Sequence, residues 1–235
     1  MDKHGLLTDY LATNAHKISQ VIPFNPESDR FYHFNFTENN QDLTAADIAD
    51  TANFSKWIES KLRNYDCRYG IGGYMEHRTL YQRSALFNTA DEPRRLHLGV
   101  DIWAPANTHI YAPLAGVIHS FQDNNHFGDY GPTIILQHDL NGLVLYSLYG
   151  HLSRVSLSGL KEGHLIESGQ KIGELGYADE NGSWPPHLHF QLMFDLQGMR
   201  GDYPGVGKYS EKDLLINNIP APQILLQIPA ANIIG

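Results

Sequence analysis

Apolar positions along this chain fall into two textures. Within residues 1–68 they recur at helical spacing in two places. Leu6 to Val21 reads as a short helix stopped at Pro23. Thr44 to Arg63 is the stronger helix, because Ile48, Ala52, Ile58 and Leu62 share a stripe and Thr44 with Asp47 resembles a capping box. Between them, Phe31-Tyr32-His33-Phe34-Asn35-Phe36 has the alternation of a strand. From Tyr69 onward, short β-branched or aromatic runs alternate with turn residues: His97–Trp103, His109–Ala112, Gly116–Phe121, Thr133–His138, Val144–Leu148, Gln170–Leu175 and His187–Phe194. Pro113, Gly116, Gly131 and Gly142 stand where turns are needed. The apolar stretch Pro220 to Leu226 is expected to pack back as a short helix or strand. The pattern predicts a mostly β sandwich or barrel over residues 69–235, preceded by an α-helical extension with a short strand over 1–68. The extension serves either as packing or as an element that regulates or covers a groove.

Composition narrows the partners. A net charge of -9 excludes nucleic acid and anionic membrane as main partners, since both require a basic face. Cys67 is the only cysteine, which leaves neither an internal disulfide nor a Cys-rich zinc site. The apolar positions of the N-terminal residues are interrupted by Asp9, Asn14, His16 and Lys17, so they form no signal or transmembrane segment, and a cytoplasmic location is expected. Oligomeric state is not written in the sequence.

Of the 13 histidines, most are isolated and expected to be exposed or hydrogen-bonded fillers. Four stand apart through their neighbours. In His97-Leu98-Gly99-Val100-Asp101, an extended chain lets an imidazole and a carboxylate converge on one face, and Gly99 keeps that face uncrowded. In His187-Leu188-His189-Phe190, two imidazoles share one strand face and two apolar residues the other, while Pro185 and Pro186 mark the strand's start. His151 follows Gly150 at the end of another apolar run. Two imidazoles and a carboxylate make a catalytic zinc shell that leaves one position for water, whose pKa the ion lowers from about 15.7 toward about 7. Two further imidazoles can exchange protons with that water. The number of donors fits, but it does not assign each histidine its part. Arg78, Arg83, Arg94 and Arg95, clustered ahead of the first candidate ligand, are either a solvated face or a site for a substrate carboxylate.

At these residues the chain resembles the lysostaphin-type zinc endopeptidases, whose fold is the duplicated hybrid motif. The resemblance runs from about Ile71 to Phe194. It rests on Gly72-Gly73-Tyr74 as a lead-in strand, Arg95-Leu96-His97-Leu98-Gly99-Val100-Asp101-Ile102, Ala104-Pro105-Ala106-Asn107-Thr108-His109-Ile110-Tyr111-Ala112, Gly116-Val117-Ile118, Tyr149-Gly150-His151-Leu152, Gly169-Gln170-Lys171-Ile172-Gly173 and Pro186-His187-Leu188-His189-Phe190. The resemblance implies one zinc ion held by His97, Asp101 and His189, with His151 and His187 as the catalytic pair. It also implies a peptide or peptidoglycan-fragment substrate, since members cut cell-wall cross-links or stems. The chain departs from the family pattern at Trp184, which is expected to shape the groove, and at Gln191, where many members carry Glu. Asp202-Tyr203-Pro204-Gly205-Val206 matches nothing general in the family.

Two other functions fit part of the pattern. One is a non-catalytic module that holds zinc or peptide on the same fold. The other is non-haem iron chemistry on the same donor set. Against the iron option, the His97/Asp101 pair precedes His187 and His189 by most of the domain, the reverse of the usual cupin order.

Overall fold

The computed structural model describes residues 2–78, 81, 85–88 and 91–235. Arg83 lies outside them. The extension contains helix α1 (Lys3–Thr13), strand β1 (Phe31–Phe34) and helix α2 (Thr51–Asn64). Helix α1 is shorter than the apolar spacing predicts. It ends at Asn14, whose amide reaches back to the Tyr10 carbonyl, and only a 3₁₀ turn over Ala15–Lys17 follows.

Helix α2 also starts later than predicted. The Asp47 carboxylate accepts from Thr44 itself, at 2.8 Å from its N–H and 2.6 Å from its hydroxyl, and closes a separate turn. The cap is Asp50, which accepts from the Asn53 N–H at 2.8 Å. Phe54, Trp57 and Ile58 form the buried face of α2.

The remaining strands are β2 (Tyr69–Gly72), β3 (Leu96–His97), β4 (Val100–Trp103), β5 (His109–Tyr111), β6 (Gly116–Asn124), β7 (Gly131–Leu140), β8 (Leu143–Gly150), β9 (Leu165–Ile166), β10 (Lys171–Glu174), β11 (His187–Met193), β12 (Val206–Gly207) and β13 (Ile233–Ile234). Helix α3 (Lys212–Asn218) lies between the last two. The predicted lead-in strand therefore ends at Gly72, and Pro222–Leu225 forms a 3₁₀ turn. The fold is mostly β, as the alternation predicts.

Nine strands form one sheet in the order β13-β1-β2-β4-β11-β8-β7-β6-β9, while β10 pairs with β5 and β12 with β3. The extension is woven into this sheet, since β1 pairs in parallel with both β2 and β13. Strand periodicity sorts the side chains of β4 and β11 onto two faces. Val100, Ile102, Leu188, Phe190 and Leu192 enter the main apolar core. Asp101, Trp103, His187, His189 and Gln191 alternate with them and take the other face. There an aromatic cluster including Phe36, Phe54, Trp57, Trp103 and Trp184 packs beside a third cluster around Leu98, Tyr130 and Met193. Among the described residues, no helix is long and apolar enough to cross a membrane.

His138 is a buried filler with a measurable consequence. Its ring bonds the Ala115 carbonyl at 2.9 Å and the Ser147 hydroxyl at 2.7 Å, and burial pushes it down to about 4. An unfolded histidine titrates near 6.5, so between these values the unfolded chain binds more protons. The contribution is therefore complete above pH 6.5 and is lost as pH falls toward 4, in total about 3 kcal/mol. In denaturant titrations at pH 7.5 and 4.5, His138→Gln should lose less stability on acidification than the wild type by about that amount. Equal losses would show that His138 takes no part in acid sensitivity.

Candidate metal centre

Strand register brings the polar residues together. His189 on β11 lies opposite Asp101 on β4 and, on its other side, opposite Gly150 at the end of β8, with His151 next in sequence. His187 pairs with Trp103. His97 arrives from β3, which pairs with β12 outside the large sheet. At Gly99 a Cβ would lie 2.6 Å from the His189 ring nitrogen and 2.7 Å from the Phe190 carbonyl oxygen, so the imidazole sits where a side chain would stand. His151 itself has φ of 61°, a left-handed conformation uncommon for a non-glycine residue and often found at functional positions.

Hydrogen bonds fix the tautomer of each of the four histidines. His97 Nδ1–H donates to the Gly73 carbonyl at 2.8 Å, which leaves Nε2 as a bare lone pair. Gln191 Nε2 donates to the Pro204 carbonyl at 3.1 Å, which turns Oε1 toward His189. His189 Nε2–H donates to that oxygen at 3.0 Å and leaves Nδ1 bare. His151 Nδ1–H donates to the Asn181 carbonyl at 2.8 Å, and His187 Nδ1–H to the Pro185 carbonyl at 2.7 Å, freeing Nε2 of each ring.

His97 Nε2 and His189 Nδ1 therefore face each other at 3.0 Å, and each lies 3.1 Å from Asp101 Oδ1, with only acceptors on these atoms. Three lone pairs turned on one another in a buried site repel unless a cation joins them. These three residues form a group that could hold a metal ion. Two nitrogens and one oxygen suit zinc with a fourth position open.

The electrostatics match this arrangement. Burial alone would raise the Asp101 carboxyl, but the neighbouring His97 and the Arg78 guanidinium outweigh burial and hold it well below the usual carboxylate range. Burial, then the Arg78 charge, lowers His97 to about 4. Burial also lowers His151 and His187, so both are neutral at pH 7. Their rings lie 4.1 Å apart, with Trp103 stacked on His187 at 5.4 Å.

A cavity of about 370 Å³ opens over Asp101 and His189. His151 and His187 line it, together with Trp184, Tyr130, Phe54 from α2 and Asp202. Trp184 thus stands in the wall, as expected from its place in the sequence. The Asp202–Val206 segment, which resembled nothing, is part of the same wall. Its Pro204 carbonyl orients Gln191, and its Gly205 passes so close to Tyr130 that a Cβ would meet the phenol oxygen.

The arginine expectation needs correction. Arg78 is 2% exposed and bonds Glu76, Tyr81 and Asp101 instead of a solvated face or an open carboxylate site. Arg95 bonds Asn88, and only Arg94 of the three described arginines remains partly exposed at the cavity. Tyr130, Asn181 and Arg78 are site neighbours that the sequence did not single out for these positions. For Arg78 the usable signal was Glu76 two residues before it, placing opposite charges on one face of an extended chain.

Residues 95–200 match the model of peptidase family M23. Over 107 residues the chain is 32% identical to an L-Ala–D-Glu endopeptidase of Bacillus subtilis, covering 43% of this chain and 31% of that protein. Over 103 residues it is 37% identical to the DD-carboxypeptidase/endopeptidase Mpg of Neisseria meningitidis serogroup B, covering 44% of this chain and 21% of that protein. The chain thus spans under a third of the length of these relatives. Among solved structures, the catalytic domain of lysostaphin from Staphylococcus simulans is 28% identical and aligns over 52% of this chain and 80% of that domain, with a TM-score of 0.36.

Proposed function

We propose that this chain is a zinc-dependent peptidase that hydrolyses a peptide bond in a small or peptidoglycan-derived peptide. His97, Asp101 and His189 would hold one zinc ion, and His151 and His187 would handle the protons. The observation that carries this proposal is the meeting of three bare lone pairs at 3.0–3.1 Å. Zinc in such a donor set supplies Lewis-acid activation of water and of an amide carbonyl.

The remaining work falls to side chains. His151 and His187 are neutral at pH 7, and each has Nε2 free while Nδ1 is held by a backbone carbonyl. Each ring can therefore accept a proton from an attacking water and return it to the leaving amine. Once protonated, an imidazolium beside the reacting carbonyl stabilises the oxyanion. Trp103, Trp184 and Tyr130 keep bulk water away from the pair.

The names of the relatives support a substrate containing D-amino acids. The test is metal content of protein purified without a chelating tag, measured with hydrolysis of a panel of glycine-rich, L-Ala–D-Glu and DD-linked peptides. About one zinc per chain, with cleavage that disappears in His187→Ala, is the expected result. One zinc without cleavage of any peptide would favour the non-catalytic module. Bound iron with oxygen consumption would overturn the zinc assignment.

A further inference from the structure

Arg78 is the largest fully buried side chain described, and no solvent-facing function explains it. Its Nε donates to Glu76 Oε2 at 2.6 Å, while Nη1 donates to the Tyr81 hydroxyl at 3.1 Å and to Asp101 Oδ2. Glu76 is itself fixed, because its Oε1 accepts the Phe36 N–H at 3.0 Å. The guanidinium lies over the rings of Phe36 and Tyr81, at 5.2 and 5.9 Å from their centroids. Space for it comes from Gly72, which lies opposite Asp101 in the β2–β4 register and whose Cβ would stand 2.8 Å from Arg78 Nη2. A buried cation is thus aimed at one oxygen of Asp101 by a carboxylate, two rings and a missing side chain.

The two carboxylate oxygens of Asp101 have different surroundings. Oδ1 faces His97 and His189, whereas Oδ2 is taken by the guanidinium. We propose that Arg78 is a positioning residue that restricts Asp101 to donating a single oxygen to the metal, and so preserves the coordination position the reaction needs. This rests on the metal site proposed above. A carboxylate free at both oxygens can bind an ion through both, which would fill that position. Orientation of ligands by outer hydrogen-bond partners is a general property of metal sites. Here the partner is anchored through Glu76 to the backbone of the N-terminal extension.

The test uses the full chain loaded with cobalt(II), whose visible spectrum reports coordination number. Wild type should show the intense bands of a four-coordinate site. In Arg78→Met the intensity should drop severalfold as Asp101 turns both oxygens to the metal. Turnover should fall by about 10- to 100-fold while the metal stays bound. In Arg78→Lys an ammonium can again occupy Oδ2, and the spectrum should move back toward wild type. A merely structural role would lower the melting temperature and leave the spectrum unchanged.

If Arg78→Met fails to fold because Glu76 is left buried without a partner, the double variant Arg78→Met/Glu76→Gln removes that charge and retains an acceptor for Phe36 N–H. A folded variant lacking Arg78 with the wild-type spectrum overturns the role of Arg78 alone. A wild-type chain that binds neither cobalt nor zinc overturns the metal site itself.

Discussion

Asp101→Ala should abolish metal retention, whereas His151→Ala should keep the metal and lose turnover. Asp101 Oδ1 is the only carboxylate donor among the three facing atoms, and its removal leaves two imidazole nitrogens beside a buried arginine. Metal affinity should fall by more than the roughly 10- to 100-fold typical of outer-shell changes. The same substitution takes one of two carboxylate partners from buried Arg78, which keeps only Glu76, a loss on the order of 1–3 kcal/mol for a missing charged hydrogen bond. Asp101→Asn is therefore the companion variant, keeping the shape of the side chain. His151 belongs to none of the three facing contacts, and its ring is held by the Asn181 carbonyl. Its loss should cost about 10²–10⁴-fold in rate, the usual scale for a proton-transfer group. Dialysis followed by metal analysis, with single-turnover hydrolysis, separates the two effects. Equal metal loss in both variants would mean the roles are misassigned.

The parts of the site legible in the sequence were those set by strand periodicity. His187 and His189 lie on one face because they are two residues apart, and Leu188 and Phe190 occupy the core for the same reason. His97 and Asp101 were equally legible as a pair, although the chain does not run as one strand between them. It leaves β3, turns at Leu98-Gly99 and enters β4, and the contact survives because the His189 ring fills the space above Gly99.

What remained hidden depends on contacts between distant segments. Gln191 could be noted as unusual, but its function as the acceptor that fixes the His189 tautomer requires Pro204, which folds back from a segment without recognisable pattern. Arg78 looked like one of several surface cations. Only the placement of Gly72 opposite Asp101 and of Phe36 above it makes that position an interior one. Helix boundaries misled where two acidic residues competed for one task, since Asp47 closes a turn and Asp50 caps α2.

Deleting residues 1–68 should destroy the fold instead of freeing an obstructed cavity. The extension was open to both interpretations in the sequence, and a covering element would predict higher activity on removal. In the structure β1 lies between β2 and β13, so its loss strips the neighbour of β2 from the sheet that carries Asp101. It would also remove Leu7, Leu11, Val21, Ile22, Phe24 and Phe31 from the main core, and Phe34, Phe36, Phe54, Trp57 and Ile58 from the aromatic cluster beside the metal centre. At about 1.5–3 kcal/mol for each large apolar side chain, the first group alone rivals the roughly 5–15 kcal/mol that holds an ordinary domain together. Glu76 would lose the Phe36 N–H, and with it part of the support for Arg78. The expected product is insoluble or lacks near-UV dichroism and a cooperative melt. A truncated chain beginning near Tyr69 that melts cooperatively and cleaves peptides faster than the full chain would establish the extension as a cover.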